Sequence, residues 1–299
     1  MFLVGWKLAI YTLLLPTASI LSIAGATEIP NLPTPNSTIQ NASVQNTSVL
    51  LVIPGHGGLK RWNLLQLSIR ALRKSVKNSF QNFKCEIYSY NPTYTPQLKS
   101  KKLCTIVENR GYWTHHMSKV NATGYSHIAV MMDDVNATRV NLPRAIRTMN
   151  RFGFDVASAG MEQWHYSHMN PHPSCLGHAV NFVDVLFTIF TAHMWDCWVR
   201  QIDLDVNPIG WGYDLTMRDL CHSKAGVLDK EIARHGHGKL PGDAVFGAKS
   251  RSYDTKAAVQ QLRQWVGKVY GITNSTLQDE TVILLQKNKY PTGRLICME

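Results

Sequence analysis

Charge is scarce in this chain. Residues 8–26 carry none, and only 17% of the 299 residues are Asp, Glu, Lys or Arg. There is no Cys-x-x-Cys pair, which argues against a zinc ribbon. No Gly-x-Gly-x-x-Gly and no Walker lysine follow the first apolar run, so the common dinucleotide and P-loop cradles are absent. No basic run is interleaved with aromatics, which argues against an RNA-reading surface. Acidic residues are outnumbered, 20 against 31 Lys and Arg, for a formal net charge of +11. A basic chain suggests anionic partners: nucleotide diphosphates, acidic glycans or a membrane surface. The compartment argues against nucleic acid.

That compartment is read from the amino-terminal third. The uncharged stretch follows Lys7 and ends Ala24-Gly25-Ala26, a small-x-small pattern suited to signal peptidase. It is also nearly long enough to span a bilayer, so residues 1–26 are either a cleaved signal peptide or a signal anchor. Both place the remainder in the secretory lumen, Golgi or ER, or outside the cell; only an uncleaved segment would hold it to a membrane. Six Asn-x-Ser/Thr sequons agree: Asn36, Asn41, Asn46, Asn121, Asn136 and Asn274. Three of them crowd a Pro-containing stretch, so residues 27–48 read as a glycosylated stem and 49–299 as one domain with ample apolar content for a core. The six cysteines suggest up to three disulfides, with Cys85–Cys104 favoured because both open strand-like runs.

Within the domain, Val49–Pro54 is a buried-strand run, followed by the turn Gly55-His56-Gly57-Gly58 and a helical pattern over 63–77. Strand, glycine turn and helix open many nucleotide-binding α/β folds, so Pro54, Gly55, His56 and Gly57 are candidate donor-binding positions; a plain turn is the alternative. Further strands are expected at 84–90, 103–108, 127–132 and 154–161, with a short helix through Met117 and a helix over 142–152 opened by Pro143. This alternation predicts a mostly parallel, doubly wound sheet of Rossmann type. Residues 180–190 read as one long strand carrying Asp184. Thr191 is expected to cap a helix whose Met194, Trp195, Trp198 and Ile202 face the core.

Asp133 and Asp134 end the 127–132 strand. Open α/β sheets bind ligands there, and adjacent carboxylates need a cation or a ring of donors. They are read as a divalent-metal site, with a turn or helix cap as the structural alternative. A glycan on nearby Asn136 would crowd that site, so the sequon is expected to be unused or the site to open away from it. Asp184 is either structurally paired or aimed into a cleft. The loop with Trp164, His165, His168 and His172 faces either substrate or a metal. Gly210-Trp211-Gly212-Tyr213-Asp214 offers a stacking face for a sugar and a carboxylate that either caps a helix to Cys221 or takes a proton from an acceptor hydroxyl. His235, before Gly236-His237-Gly238, reads as a mobile ligand in a glycine-rich loop.

Phe182-Val183-Asp184-Val185, Phe190, Trp195, Trp198, Gly210-Trp211-Gly212-x-Asp214, Gly226-Val227-x-Asp229 and His235, with the strand-plus-acid run at 128–135, resemble the mostly plant and algal proteins that carry domain of unknown function 707. That pattern is similar to GT-A glycosyltransferases, which use an Asp-x-Asp metal motif. The resemblance implies a GT-A-like domain in which Asp134 and Asp133 hold Mn²⁺ or Mg²⁺ against a nucleotide-sugar diphosphate. His235 would be a third ligand and Asp214 the base for a glycan or glycoprotein acceptor. Relatives carry an acid where this chain has Met132. Three functions follow as expectations: a lumenal metal-dependent glycosyltransferase, inverting by direct displacement; a non-catalytic glycan-binding protein on the same fold; and a secreted metallohydrolase built on His165, His168, His172 and the acids.

Overall fold

A computed structural model describes residues 46–56, 59–90, 95–100, 102–162, 164, 166–235, 255–287 and 297–298, all within one compact unit. The expected leader 1–26, the stem up to residue 45, Gly57, Gly58, His165 and the 236–238 glycine stretch lie outside the described residues.

The sheet is organised around β1 (Ser48–His56), whose Val49–Ile53 core is fully buried. Strand β2 (Asn82–Ser89) lies parallel on one side of β1, followed by β3 (Thr105–Glu108). Strand β4 (His127–Met131) lies parallel on the other side, with Val49 opposite His127. The chain therefore turns from one side of β1 to the other between β3 and β4, which opens a crevice at the carboxyl ends of β1 and β4.

Beyond β4 the expected parallel sheet becomes mixed. Strand β8 (Phe187–Thr191) inserts antiparallel between β4 and β6 (Val156–Met161). Strand β9 (Ala225–His235) runs parallel to β6 and is met antiparallel by β7 (Gly177–Val180) and β5 (Val135–Arg139). With β10 (Cys297–Met298) on β7, the order is β10-β7-β9-β6-β8-β4-β1-β2-β3, with β5 attached to β9. Strands β1–β4, β6, β9 and β10 point one way and β5, β7 and β8 the other. Most strands are thus codirectional, although the sheet is not a doubly wound parallel one throughout.

Residues 180–190 are not one strand. The chain leaves the sheet after Val180, and the Leu186 N–H returns to the Asp184 carbonyl at 2.8 Å. The intervening apolar side chains Phe182 and Val183 are buried in packing rather than in a ladder, so hydrophobicity alone misplaces them.

The helices follow their sequence signals. Helix α1 (Leu59–Val76) buries Leu65, Ile69 and Leu72, while its Ser68 hydroxyl accepts from the Ala137 N–H at 3.1 Å. Helices α2 (Thr95–Ser100) and α3 (Trp113–Met117) are short. Helix α4 (Leu142–Phe152) starts with Pro143 in its first turn and the Asn141 side chain accepting from the Arg144 N–H; left-handed Gly153 ends it. Helix α5 (Ala192–Arg200) is capped by Thr191, as expected. Its Trp198 stacks on Phe190 at 4.9 Å and on Trp113 at 6.0 Å, so the aromatic stripe is core. Helix α6 (Met217–Cys221), α7 (Thr255–Tyr270) and α8 (Ser275–Lys287) complete the fold. Disulfides join Cys85 to Cys104, Cys175 to Cys297 and Cys197 to Cys221. They are consistent with a secretory or extracellular protein, and no described helix is long and apolar enough to cross a membrane.

Trp198 is fully buried and its indole N–H donates to the Tyr213 carbonyl at 3.2 Å, so it ties α5 to the Gly-Trp-Gly turn. Trp198→Ala should cost about 4 kcal/mol of stability, read as a lowered denaturation midpoint in urea; an unchanged midpoint would contradict this packing.

Candidate active site

Strand directions gather the predicted side chains at one edge. Strands β1, β4, β6 and β9 end there, and antiparallel β8 begins there. At the end of β4 the Met132 N–H donates to the Leu186 carbonyl at 2.9 Å, which pins the Asp184–Leu186 loop beside the acid pair. Asp133 and Asp134 form the tight turn from β4 to β5, closed by the Val135 N–H on the Met132 carbonyl at 3.2 Å. The turn alternative is therefore right about backbone shape. The side chains nevertheless engage charge. Asp133 is buried and its Oδ1 accepts from Arg61 Nη1 at 2.6 Å, while Asp134 Oδ2 lies 3.6 Å from that guanidinium nitrogen.

The register of β5 on β9 sets Val135 opposite His235, and His235 Nε2 lies 3.2 Å from Asp134 Oδ2. His235 is the last residue of β9 with a side chain 28% exposed, so the expected mobile glycine-loop position is corrected: the ladder fixes it. The hydrogen bond and charge of Asp134 outweigh burial and raise the imidazole pKa. Burial opposes the Asp134 charge, but His235 and Arg61 together hold its pKa below the ordinary value.

Beside this cluster lies a cavity of about 390 Å³ walled by Trp113, Trp164, Tyr166 and Trp211, with Met132 and Leu262 also in its lining. Asp184 and Asp214 both face into it. Each carboxylate keeps partial solvent contact through the cavity, yet aromatic walls make the charged form costly. Burial raises Asp184 to about 6, against the Trp164 hydrogen bond and His235, which favour its charge. Burial and then the neighbouring Asp184 charge raise Asp214 to about 7. The pair titrates as a unit across the range where a general base must gain and lose a proton.

Local backbone explains how Asp214 gets there. Gly210 and Gly212 have φ of +88° and +92°. A Cβ on Gly210 would collide with Thr114 and one on Gly212 with Leu262, so side chains are excluded from both. The Asn207 side chain clamps the turn, donating to the Trp211 carbonyl at 2.8 Å and accepting from the Gly210 N–H at 3.1 Å. Asp214 stands in this turn and does not cap a helix: α6 begins at Met217 after Thr216. Trp211 is 38% exposed at the cavity, where a ligand ring can reach its face.

Other expectations fall differently. Pro54 and Gly55 end β1, Pro54 buried and Gly55 with φ +76°; His56 is its last residue. Asn136 lies outside the aromatic cavity and lines a separate one of about 160 Å³ with Glu162 and Arg139, so the site opens away from that sequon. His168 and His172 pack around His178, whose Nδ1 meets Asp229 at 2.9 Å and whose Nε2 meets the His168 carbonyl at 2.8 Å. Burial lowers the His172 pKa. Among the described residues no group of three or more His, Cys, Asp or Glu is arranged to hold a metal, neither around His168 and His172 nor around Asp133, Asp134 and His235, and His165 lies outside the described residues.

Arg61, Trp113, Tyr166 and Leu262 are contributors that the sequence reading missed. Arg61 carried one usable signal, its place in the first turn of the helix after a glycine turn. A further cavity of about 260 Å³ lies at the ends of β2 and β3, lined by Ser89, Tyr90, Glu108, Asn109 and Arg110.

No protein-family model matches this sequence, and neither does any curated protein. Several solved structures are similar in fold. S. aureus TarS 1-349 in complex with UDP-GlcNAc is 10% identical, with a TM-score of 0.48 over 80% of this chain and 71% of that one. S. aureus TarS gives a TM-score of 0.49 at 8% identity over 81% of this chain and 43% of that one. A197 from STIV gives 0.38 at 15% identity over 63% and 85%. These likenesses are distant, so the function is argued from the side chains of the site.

The buried acids make stability depend on pH. An acid whose folded pKa exceeds its unfolded one binds its proton more tightly in the folded state, so stability falls as pH rises between the two values. For Asp214 that window runs from 3.8 to about 7. The melting temperature should decline from pH 4 towards pH 7, and Asp214→Asn should flatten the decline and raise the neutral-pH melting point. An unchanged slope in the variant would contradict a burial-raised Asp214.

Proposed function

We propose that this chain transfers a sugar from a nucleotide-sugar donor to a hydroxyl of a glycan or glycoprotein acceptor. The observation that carries the reading is that Asp184 and Asp214 face one aromatic cavity beside the charged cluster Arg61, Asp133, Asp134 and His235. A carboxylate with pKa of about 7 is a far better base than an ordinary aspartate and is ionised just above neutrality. Asp214 then accepts the acceptor's hydroxyl proton. Trp211 and Trp164 offer faces for sugar rings, and the apolar walls exclude water that would otherwise hydrolyse the donor. Direct displacement with Asp214 as base would invert the anomeric centre.

The donor diphosphate fits the crevice between β1 and β4. Gly55 and His56 end one strand there, and the Arg61 guanidinium, raised in pKa because Asp133 and Asp134 outweigh its burial, supplies fixed positive charge. The cavity of Tyr90 and Asn109 suits the nucleoside.

Asp134 and His235 would hold Mn²⁺ or Mg²⁺. Asp134 Oδ2 and His235 Nε2 are 3.2 Å apart, close enough to share one ion, and an imidazole donor favours Mn²⁺. Such ions need only one or two protein ligands when substrate phosphates and water complete the shell. Asp133 is held by Arg61 and fits a supporting role better than direct ligation. A bound ion would offset charge on the departing diphosphate. The same reading covers kinship with the domain-of-unknown-function-707 proteins and residence in the secretory lumen, which the three disulfides suit.

One observation favours a second reading: Met132 occupies the cavity wall where relatives are expected to carry an acid. A non-catalytic glycan-binding protein would keep the aromatic cavity and have no affinity for nucleotides.

A panel of nucleotide sugars with Mn²⁺ separates the two. A donor at 100 times its dissociation constant should stabilise the fold by about 2.7 kcal/mol and raise the melting point by a few degrees. Asp134→Asn should remove the Mn²⁺-dependent part while leaving the unliganded melting point nearly unchanged. Arg61→Gln should weaken donor binding at least tenfold. Asp214→Asn should keep donor binding and lose transfer by at least 10²-fold. Stabilisation by glycans alone, with none from any nucleotide, would establish the second reading.

A further inference from the structure

Trp164 contacts both halves of the site. It follows β6, and its backbone N–H donates to Asn170 Oδ1 at 3.1 Å. Its indole Nε1–H donates to Asp184 Oδ2 at 3.1 Å. Its ring meets the His235 imidazole with centroids 5.0 Å apart, tilted by 51°. His235 in turn holds Asp134. One side chain therefore spans from the charged cluster of the crevice to the carboxylate pair of the cavity.

The chemistry of the contact is one-sided. An indole N–H only donates and does not titrate in water's range, so the oxygen it meets is required to accept. That favours the ionised form of Asp184. In two acids sharing a cavity, the one given the better fixed donor ionises first, and its charge makes the other a stronger base. Both acids are also met by backbone N–H groups, Asp214 by those of Gly212, Asp214 and Leu215 in its own turn and Asp184 by that of Val185. The donor that a side chain supplies, and that Asp184 has and Asp214 lacks, is the Trp164 indole.

We infer that Trp164 is a positioning residue that keeps Asp184 as the ionised partner and thereby makes Asp214 the proton-accepting one, while its ring holds His235 on the opposite side. This rests on the proposed role of Asp214 as the acceptor's base. Among the described residues the titratable groups facing the pair's surroundings are Asp184 from the β7–β8 loop, Asp214 from the glycine turn, His235 from β9 and Tyr166 from the segment after β6. Burial keeps Tyr166 protonated well above neutrality. Helices α3 and α7 contribute Trp113 and Leu262, which carry no charge.

The test reads carboxyl protonation directly, by infrared titration of the full chain with Asp184→Asn and Asp214→Asn used to assign the bands. Trp164→Phe keeps a ring against His235 and removes the N–H. The lower of the pair's two titration steps should rise by about one pH unit, the worth of one hydrogen bond to a charged group, and draw close to the upper step. Benzothienylalanine at position 164 keeps the indole shape without the N–H and should do the same, which covers a Phe variant that folds poorly. Both steps staying at their wild-type positions in either variant overturns the inference. The titration is independent of turnover: steps that move in a protein that transfers no sugar leave Trp164's role standing and remove the transferase reading. Transfer with unmoved steps does the reverse.

Discussion

Two carboxylates set close together inside aromatic walls cannot both be charged without compensation, and most of the site's architecture answers that constraint. Asp184 receives the Trp164 indole N–H and the Val185 backbone N–H, Asp214 receives backbone N–H groups, and among the described residues neither forms an ion pair. Arg61 instead stands with Asp133 and Asp134, at 2.6 and 3.6 Å. The result is a division within a single edge of the sheet. One side is charge-matched and suits phosphate, and the other is charge-starved and suits proton transfer. Cooperation between them depends on strand direction: had β8 run parallel to β4, Asp184 would start from the opposite edge of the sheet.

The antiparallel insertions that spoil a simple Rossmann sheet are what assemble the site. Strand β5 leaves the acid turn and pairs with the end of β9, and that pairing alone brings residue 235 to residue 134. A slip of one residue in this register would turn the imidazole to the other face of the sheet. The pairing of Met131 with Phe187 likewise delivers the Asp184 loop. These contacts span about a hundred residues or half that, so the site forms only when the sheet is complete.

Much of the local structure was legible. The apolar runs became β1, β4 and β6, Thr191 and Pro143 marked helix starts, and Cys85 paired with Cys104. The acids at 133, 134, 184 and 214 could be singled out because charge next to apolar sequence is conspicuous. What could not be read was non-local. The break at 181–186 is invisible because residues lining a core look like residues in a buried strand. Arg61 resembles any basic helix residue until its partner, 72 positions away, is in place. The resemblance-based ligand role of His235 was motivated by a flexible loop, whereas the ladder on β5 holds it.

Leu262 has an implication for how the protein can be divided. It belongs to α7, far along the chain from every acid of the site, yet it fills the space that glycine leaves open at position 212 and forms part of the cavity wall. A fragment ending at His235 would retain all the ionisable groups and still expose Asp214 to bulk water, where the carboxylate would revert to an ordinary weak base. Helix α7 is therefore part of the insulation of the cavity that holds the two acids.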